Sequence, residues 1–178
     1  MTANDRKRLR RTFRSRRRAL SPREQCDHAL AVSRHFFSSG LALRARTIGL
    51  YMANDGELDL TPLIARLDAA GKRLALPVIR SAPGRASVLE FYRYERDRLL
   101  VTNRYGIAEP APGARYLPLP QIDLLLMPLV AFDRHGTRLG RGAGFYDRTL
   151  RLADADAWLV AVVRDAEVVD HLPSEPHD

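Results

Sequence analysis

The segment RLGRGAGFYDRTL, residues 138–150, sets Gly140, Gly142 and Gly144 among two arginines, an aromatic pair and Asp147. Glycine at every second position suits neither helix nor strand, because each glycine adds backbone entropy that folding must remove. Such a loop uses bare backbone. Following a strand and opening a helix, it would offer several free N–H groups to a phosphate, with Arg138 and Arg141 adding charge. It is not a P-loop, since no Lys-Ser/Thr follows the last glycine, and the spacing of its last glycine is wrong for a dinucleotide fingerprint. A tight strand-to-helix turn without a ligand explains the same spacing, and both readings stand. Asp147 either complements the dipole of the helix it opens or, beside a polyphosphate, holds Mg²⁺ directly or through water. Phe145 and Tyr146 either pack in the core or stack on a flat heterocycle.

A second group of chemical side chains is Asp55, Glu57 and Asp59 in NDGELD. The spacing is too sparse for an EF-hand. It fits a solvated acidic turn bent at Asp55-Gly56, or an acid that accepts hydrogen bonds from a substrate's N–H groups. The five histidines form no HExxH pair, Cys26 is alone, and there is no GxSxG elbow. Zinc chemistry, a disulfide and triad hydrolysis are therefore not expected.

Charge is concentrated. The chain of 178 residues has a net charge of +8, and nine of its 29 Lys/Arg lie in residues 1–18 beside one acid, Asp5. The rest is balanced. A neutral body with one basic arm suggests a local anion site or a solvated helix face rather than a generally nucleic-acid-binding surface. The arm lacks interleaved aromatics, although salt-sensitive nucleic-acid contact is an alternative use for it. Its arginines on one face would reach phosphates held by the glycine loop. With no membrane-length apolar run and no apolar stretch after the basic start, a cytoplasmic protein is expected.

These residues need elements to position them. NDRKRLRRTFRSRRRALS reads as a helix capped by Asn4 or Asp5, with Leu9, Phe13, Arg17 and Leu20 on one face and the basic faces outward. In SPREQCDHALAVSRHFF, Ser21 caps, Pro22 opens and Glu24 completes a capping box. Strand 47–53, a helix from Thr61-Pro62 to Gly71 and strand 72–79 imply a right-handed parallel crossover. Further strands are read at 86–95, 123–133 and 157–165, an irregular connection at 103–120, a helix from Phe145 to Asp154, and a loop-rich tail. The class is α/β: one three-layer domain over residues 1–178, its mostly parallel sheet covered by helices on both faces. Ligands in such sheets bind beyond the strands' carboxyl ends, where loops 54–60 and 134–147 lie.

MPLVAFDRHGTRLGRGAGFYDRTL (127–150), YMANDGELDLTPLIARLDAAGKRLALPV (51–78), RKRLRRTFRSRRRALS (6–21) and VVDHLPSEPHD (168–178) together resemble the 5-formyltetrahydrofolate cyclo-ligase family, in order and over almost the whole chain. The resemblance implies a ligase forming C–N bonds: conversion of 5-formyltetrahydrofolate to 5,10-methenyltetrahydrofolate, ADP and phosphate, using ATP and Mg²⁺, through a phosphorylated formyl group. No side chain is assigned a covalent or acid–base role, so positioning and charge neutralisation carry the rate. It implies ATP contacts at Arg6, Lys7, Arg8, Leu9 and Arg10 of the first helix, which packs over the nucleotide. It extends them to Arg138, Leu139, Gly140, Arg141, Gly142, Ala143, Gly144, Phe145 and Tyr146. Met52 and Glu57 are the implied folate contacts, with Asp147 and Asp178 the metal-associated acids. The chain departs from the family pattern at Arg6, where Lys is frequent, and at Glu167, where Gln is usual. It also stops at Asp178, where the family runs on into a short strand. A monomer acting on a small molecule, without nucleic acid or membrane, is expected. A nucleic-acid-binding protein and another small-molecule kinase on the same fold are the alternatives.

Overall fold

The computed structural model describes residues 3–81, 84, 86–151 and 157–172. The basic arm is helix α1, Ala3–Arg18, so Asn4 and Asp5 lie inside its first turn rather than ahead of it. Helix α2, Pro22–Ser38, carries the expected capping box: Ser21 Oγ accepts from the Glu24 N–H, and Glu24 Oε2 accepts from the Ser21 N–H at 2.8 Å. A short α3, Leu41–Arg44, leads into strand β1, Thr47–Gly49. Helix α4, Thr61–Ala69, and strand β2, Arg73–Arg80, follow. Strand β3 spans Val88–Tyr94. Strand β4, Leu100–Thr102, lies just ahead of the stretch read as irregular, which contains two short strands, β5, Ala108–Pro110, and β6, Tyr116–Leu117.

The apolar run 123–133 is two strands. Strand β7 is Leu124–Pro128 and β8 is Ala131–Asp133, in different sheets. Pro128 has no N–H for the ladder and ends β7. Strand β9, Arg138–Leu139, helix α5, Phe145–Arg151, strand β10, Trp158–Val162, and strand β11, Val168–Val169, complete the described chain.

The main sheet has the order β10-β7-β1-β2-β3-β6. Its first four strands are parallel, and β3 and β6 add antiparallel pairings at one side. Alternation along the strands builds two cores. Leu74, Leu76, Leu124 and Leu126 face α2 and α4 through Phe36, Leu63 and Leu67. Ala75, Leu125 and Met127 face the other way, where Phe145, Tyr146 and Leu150 of α5 cover them. The expected α/β class, with a mostly parallel sheet between helical layers, is the observed one. Helix α1 sits elsewhere: Leu9 and Phe13 pack on Val130, Ala131, Leu139 and Leu172, on and around the small sheet β11-β8-β9.

Asp133 ties that small sheet together. Its carboxylate is fully buried and accepts from the N–H groups of His135 (3.0 Å), Thr137 (2.9 Å) and Leu172 (2.8 Å). Burial alone would push this carboxyl up, but the three N–H groups outweigh it and hold its pKa below the ordinary carboxylate value. The depressed pKa makes the contribution to stability full above the unfolded value of about 4, and lost as pH falls through the folded one. Asp133→Ala is expected to lower unfolding free energy by about 3 kcal/mol in urea titrations at neutral pH, because three buried donors lose their acceptor. A loss below about 1 kcal/mol would contradict this account.

Candidate active site

A cavity of about 540 Å³ opens where α1, the glycine loop and the acidic loop meet. Arg6, Arg10 and Arg14 reach it from α1, spaced four residues apart on one helical face. Arg138, Gly140, Arg141, Gly142, Ala143 and Gly144 line it from the loop, and Phe145, Tyr146 and Asp147 from the start of α5. Met52 and Glu57 line it too, with Tyr51, Pro77, Ile79 and Leu89. Segments far apart in sequence therefore meet because β1, β2 and β7 are parallel neighbours and end together.

Not every implied contact points into this space. Leu9 and Leu139 belong to the apolar cluster beneath α1, and Lys7 and Arg8 are exposed and do not line the cavity. Asp178 lies outside the described residues. Arg6 is buried, with only 7% of its surface exposed, which corrects the expectation that the basic faces point outward. Arg17, 2% exposed, lies on the face read with Leu9, Phe13 and Leu20, its long stem filling space while its guanidinium meets Asp55.

The three elements grip one another. Arg10 Nε donates to the Gly140 carbonyl at 2.9 Å. Arg17 Nε donates to the Asp55 carbonyl at 2.7 Å and its Nη2 to Asp55 Oδ2 at 3.2 Å. Arg141 Nη1 stands 3.4 Å from Glu57 Oε1. Arg138 pairs with Asp147 Oδ1. The glycine loop and the acidic loop are thus joined both directly and through α1.

The cavity is strongly cationic, with Arg6, Arg10, Arg14, Arg138 and Arg141 in its lining and Glu57 beside Arg141. Burial pushes the Glu57 carboxyl above its ordinary value, against the opposing pull of Arg141, the Asn54 N–H and Arg17. The Tyr51 hydroxyl, which donates to the Leu58 carbonyl at 3.0 Å, is raised well above its usual value by burial and by the Glu57 charge. Glu57 Oε1 is buried and lacks a hydrogen-bond donor, a costly state that a ligand N–H would relieve. The described lining contains no histidine, cysteine or serine, so the cavity is equipped to position and neutralise rather than to attack. It fits a polyanion on its arginines and a flat heterocycle with N–H donors at Glu57.

The sequence reading did not single out Arg14, Tyr51 or Tyr105. Arg14 was readable from the i, i+4 spacing of Arg6 and Arg10. Tyr105 was not: it lies in the turn joining β4 to β5, tethered when Asn54 Nδ2 donates to its carbonyl at 3.0 Å, and its ring meets Phe145 edge-to-face at 6.0 Å.

Comparison with known proteins places this geometry. The model of the 5-formyltetrahydrofolate cyclo-ligase family matches residues 2–178. The chain is 41% identical over 168 residues to the 5-formyltetrahydrofolate cyclo-ligase of Escherichia coli strain K12, spanning 93% of this chain and 91% of that one. It is 35% identical over 180 residues to the Haemophilus influenzae protein of the same name, spanning 100% and 95%. Among solved structures, the 5,10-methenyltetrahydrofolate synthetase of Aquifex aeolicus is similar with a TM-score of 0.80 at 29% identity, over 96% of this chain and 83% of that chain.

Proposed function

The chain belongs to the 5-formyltetrahydrofolate cyclo-ligase family and is an enzyme of that kind, and from this premise we propose that it closes 5-formyltetrahydrofolate to 5,10-methenyltetrahydrofolate with ATP and Mg²⁺, releasing ADP and phosphate. The observation that carries this reading is one cavity lined by a cluster of arginines and by a buried carboxylate, Glu57, whose Oε1 has no hydrogen bond. Polyphosphate takes the arginines. The pterin gives N–H bonds to Glu57 and packs on Met52.

The chemistry suits a site without a nucleophile. A formyl oxygen leaves poorly from carbon. Attack of that oxygen on the γ-phosphorus expels ADP and gives a phosphorylated iminium. N10 then adds to the formyl carbon and gives up its proton to solvent or to a phosphate oxygen, and the C–O bond breaks so that the oxygen departs within phosphate. Arg10, Arg138 and Arg141 neutralise the transferring group, and Glu57 holds the ring so that the formyl oxygen meets the γ-phosphorus in line.

The donor set fits a magnesium ion that arrives on the phosphates. Among the described residues, no group of three or more His, Cys, Asp or Glu is placed to cage a metal. Asp147 offers one half-exposed carboxylate at the cationic rim, in keeping with the one or two protein carboxylates that Mg²⁺ commonly uses beside phosphate oxygens. Asp147 would hold the ion after yielding part of its contact with Arg138, and the ion would offset charge on the β- and γ-phosphates. The working form we propose is a cytoplasmic monomer independent of nucleic acid and membrane. No described helix is long and apolar enough to cross a bilayer.

Mixing the protein with Mg-ATP and 5-formyltetrahydrofolate is expected to produce the absorbance of the methenyl product, and ¹⁸O in the formyl group is expected to emerge in phosphate. ADP formation without methenyl product would instead indicate a kinase. Arg10→Ala is expected to raise the KM for ATP about tenfold or more, the worth of a charged hydrogen bond, with the folate KM within about threefold. Equal rises in both constants would overturn the assignment of α1 to the nucleotide.

A further inference from the structure

Glu57 follows a turn whose left-handed backbone is held from outside as well as from within. Asp55 and Gly56 have φ of 59° and 72°, and Asp55 is the one described non-glycine residue with positive φ. The turn is closed by a Glu57 N–H to Asn54 carbonyl bond at 3.2 Å. Left-handed backbone at a non-glycine residue persists where its surroundings over-determine it. Here two buried guanidiniums do so from opposite ends of the sequence. Arg17 grips Asp55 from α1, against whose backbone the turn lies: a Cβ on Gly56 would sit 3.1 Å from the Arg17 carbonyl oxygen. Arg164 Nη2 donates to the Gly56 carbonyl at 3.2 Å.

Arg164 is itself fixed. Its Nη1 donates to Glu167 Oε1 at 3.1 Å, and Glu167 Oε2 accepts the Arg164 N–H at 3.0 Å. The two residues are 7% and 6% exposed, and neither lines the cavity. A planar guanidinium suits this task because it serves Glu167 and Gly56 at once in a fixed fork. We propose that Arg164, braced by Glu167, is a positioning residue that holds the Asp55–Gly56 turn and so keeps the Glu57 carboxylate in place for folate in the cavity. The proposal rests on the reading of Glu57 as the folate contact. Arg17 shares its helix with Arg10, so its loss disturbs both ligands. Outside its own segment, the described hydrogen bond of Arg164 is to the acidic loop, so its effect is expected to fall more on folate than on ATP.

Steady-state KM values for folate and ATP in Arg164→Gln, Arg164→Lys, Glu57→Gln and the double variant Glu57→Gln/Arg164→Gln test this. Arg164→Gln is expected to raise the folate KM about tenfold, with the ATP KM within about twofold, and the double variant to match Glu57→Gln alone. Arg164→Lys, which keeps the charge but not the fork, is expected to fall between. Parallel rises in both KM values, or multiplicative effects in the double variant, overturn the proposal, since a merely structural role gives those. If Arg164→Gln does not fold, an unchanged folate KM in Arg164→Lys overturns it. A rise with Glu57→Gln but not with the Arg164 variants removes the positioning role alone, whereas no rise with Glu57→Gln removes the folate reading and the proposal together.

Discussion

Gly142→Val is expected to leave a folded protein with about one hundredth or less of the wild-type kcat/KM, the loss falling most heavily on ATP. Gly142 has φ of 99°, a conformation that side-chain-bearing residues rarely adopt. A Cβ there would stand 3.5 Å from both Cζ and Nε of Arg10, and a β-branched side chain extends further into that contact. The loop is exposed at this point, so it relieves a strain of about 1–3 kcal/mol by moving rather than by unfolding the core. Movement breaks the Arg10 bond to Gly140 and turns the loop N–H groups away from the phosphates. Gly136 separates strain from function: its φ is 92°, nothing lies within 4 Å of a Cβ there, and it does not line the cavity. Gly136→Val is expected to cost comparable stability and to keep activity within about threefold, because it strains backbone without touching the site. Loss of activity in both variants, or in neither, would sink the view that the Gly142 backbone shapes a phosphate site.

The parts of this fold that the sequence announces are those specified by local chemistry. The Ser21–Glu24 capping box, the Thr61-Pro62 helix start and the apolar runs of β2, β7 and β10 are written in adjacent residues. Strands of two or three residues leave no periodicity to read, which is why β4, β5, β6 and β9 emerge only from their partners. The same holds for the site. The glycine loop and the acidic loop are visible as loops, but their joining through Arg10, Arg17 and Arg141 is a tertiary fact. Arg17 shows this well. Its place on the apolar face of α1 looks like an error of amphipathicity until the Asp55 carbonyl is found against it. Arg164 falls at the end of the strand read at 157–165 and Glu167 is a departure from the family pattern, and no pattern near them points 108 residues back to Gly56. Asp147 pairs with Arg138, a contact that neither the dipole nor the metal reading foresaw.

Glu57→Gln is expected to weaken folate binding about 10- to 100-fold, the range for a charged hydrogen-bond acceptor, while raising the thermal midpoint at pH 7. The opposite signs have one cause. Burial raises the Glu57 pKa above its unfolded value, so ionised Glu57 is less favourable in the fold than in the unfolded chain. Below the unfolded value of about 4.3 both states are protonated and nothing is lost. As pH rises from there through the folded pKa, the unfolded chain releases its proton first and stability falls, to a level that persists at neutral pH. Glutamine never ionises, and its amide oxygen can still accept the Asn54 N–H that Glu57 Oε2 accepts at 3.1 Å. Its stability advantage should therefore shrink towards zero as pH is lowered below about 4. Folate affinity runs the other way. The ionised carboxylate is the acceptor, so the wild-type folate KM rises as pH falls through the raised pKa, and that limb disappears in the variant. A lower midpoint for Glu57→Gln at pH 7 would mean that the contacts with Arg141, Asn54 and Arg17 outweigh burial. An unchanged pH profile for folate would mean that the ligand does not read this carboxylate. On the proposed reading, the costly burial of Glu57 is the physical form that a preorganised binding group takes: an acceptor without a hydrogen bond in the fold, which a substrate's N–H groups would complete.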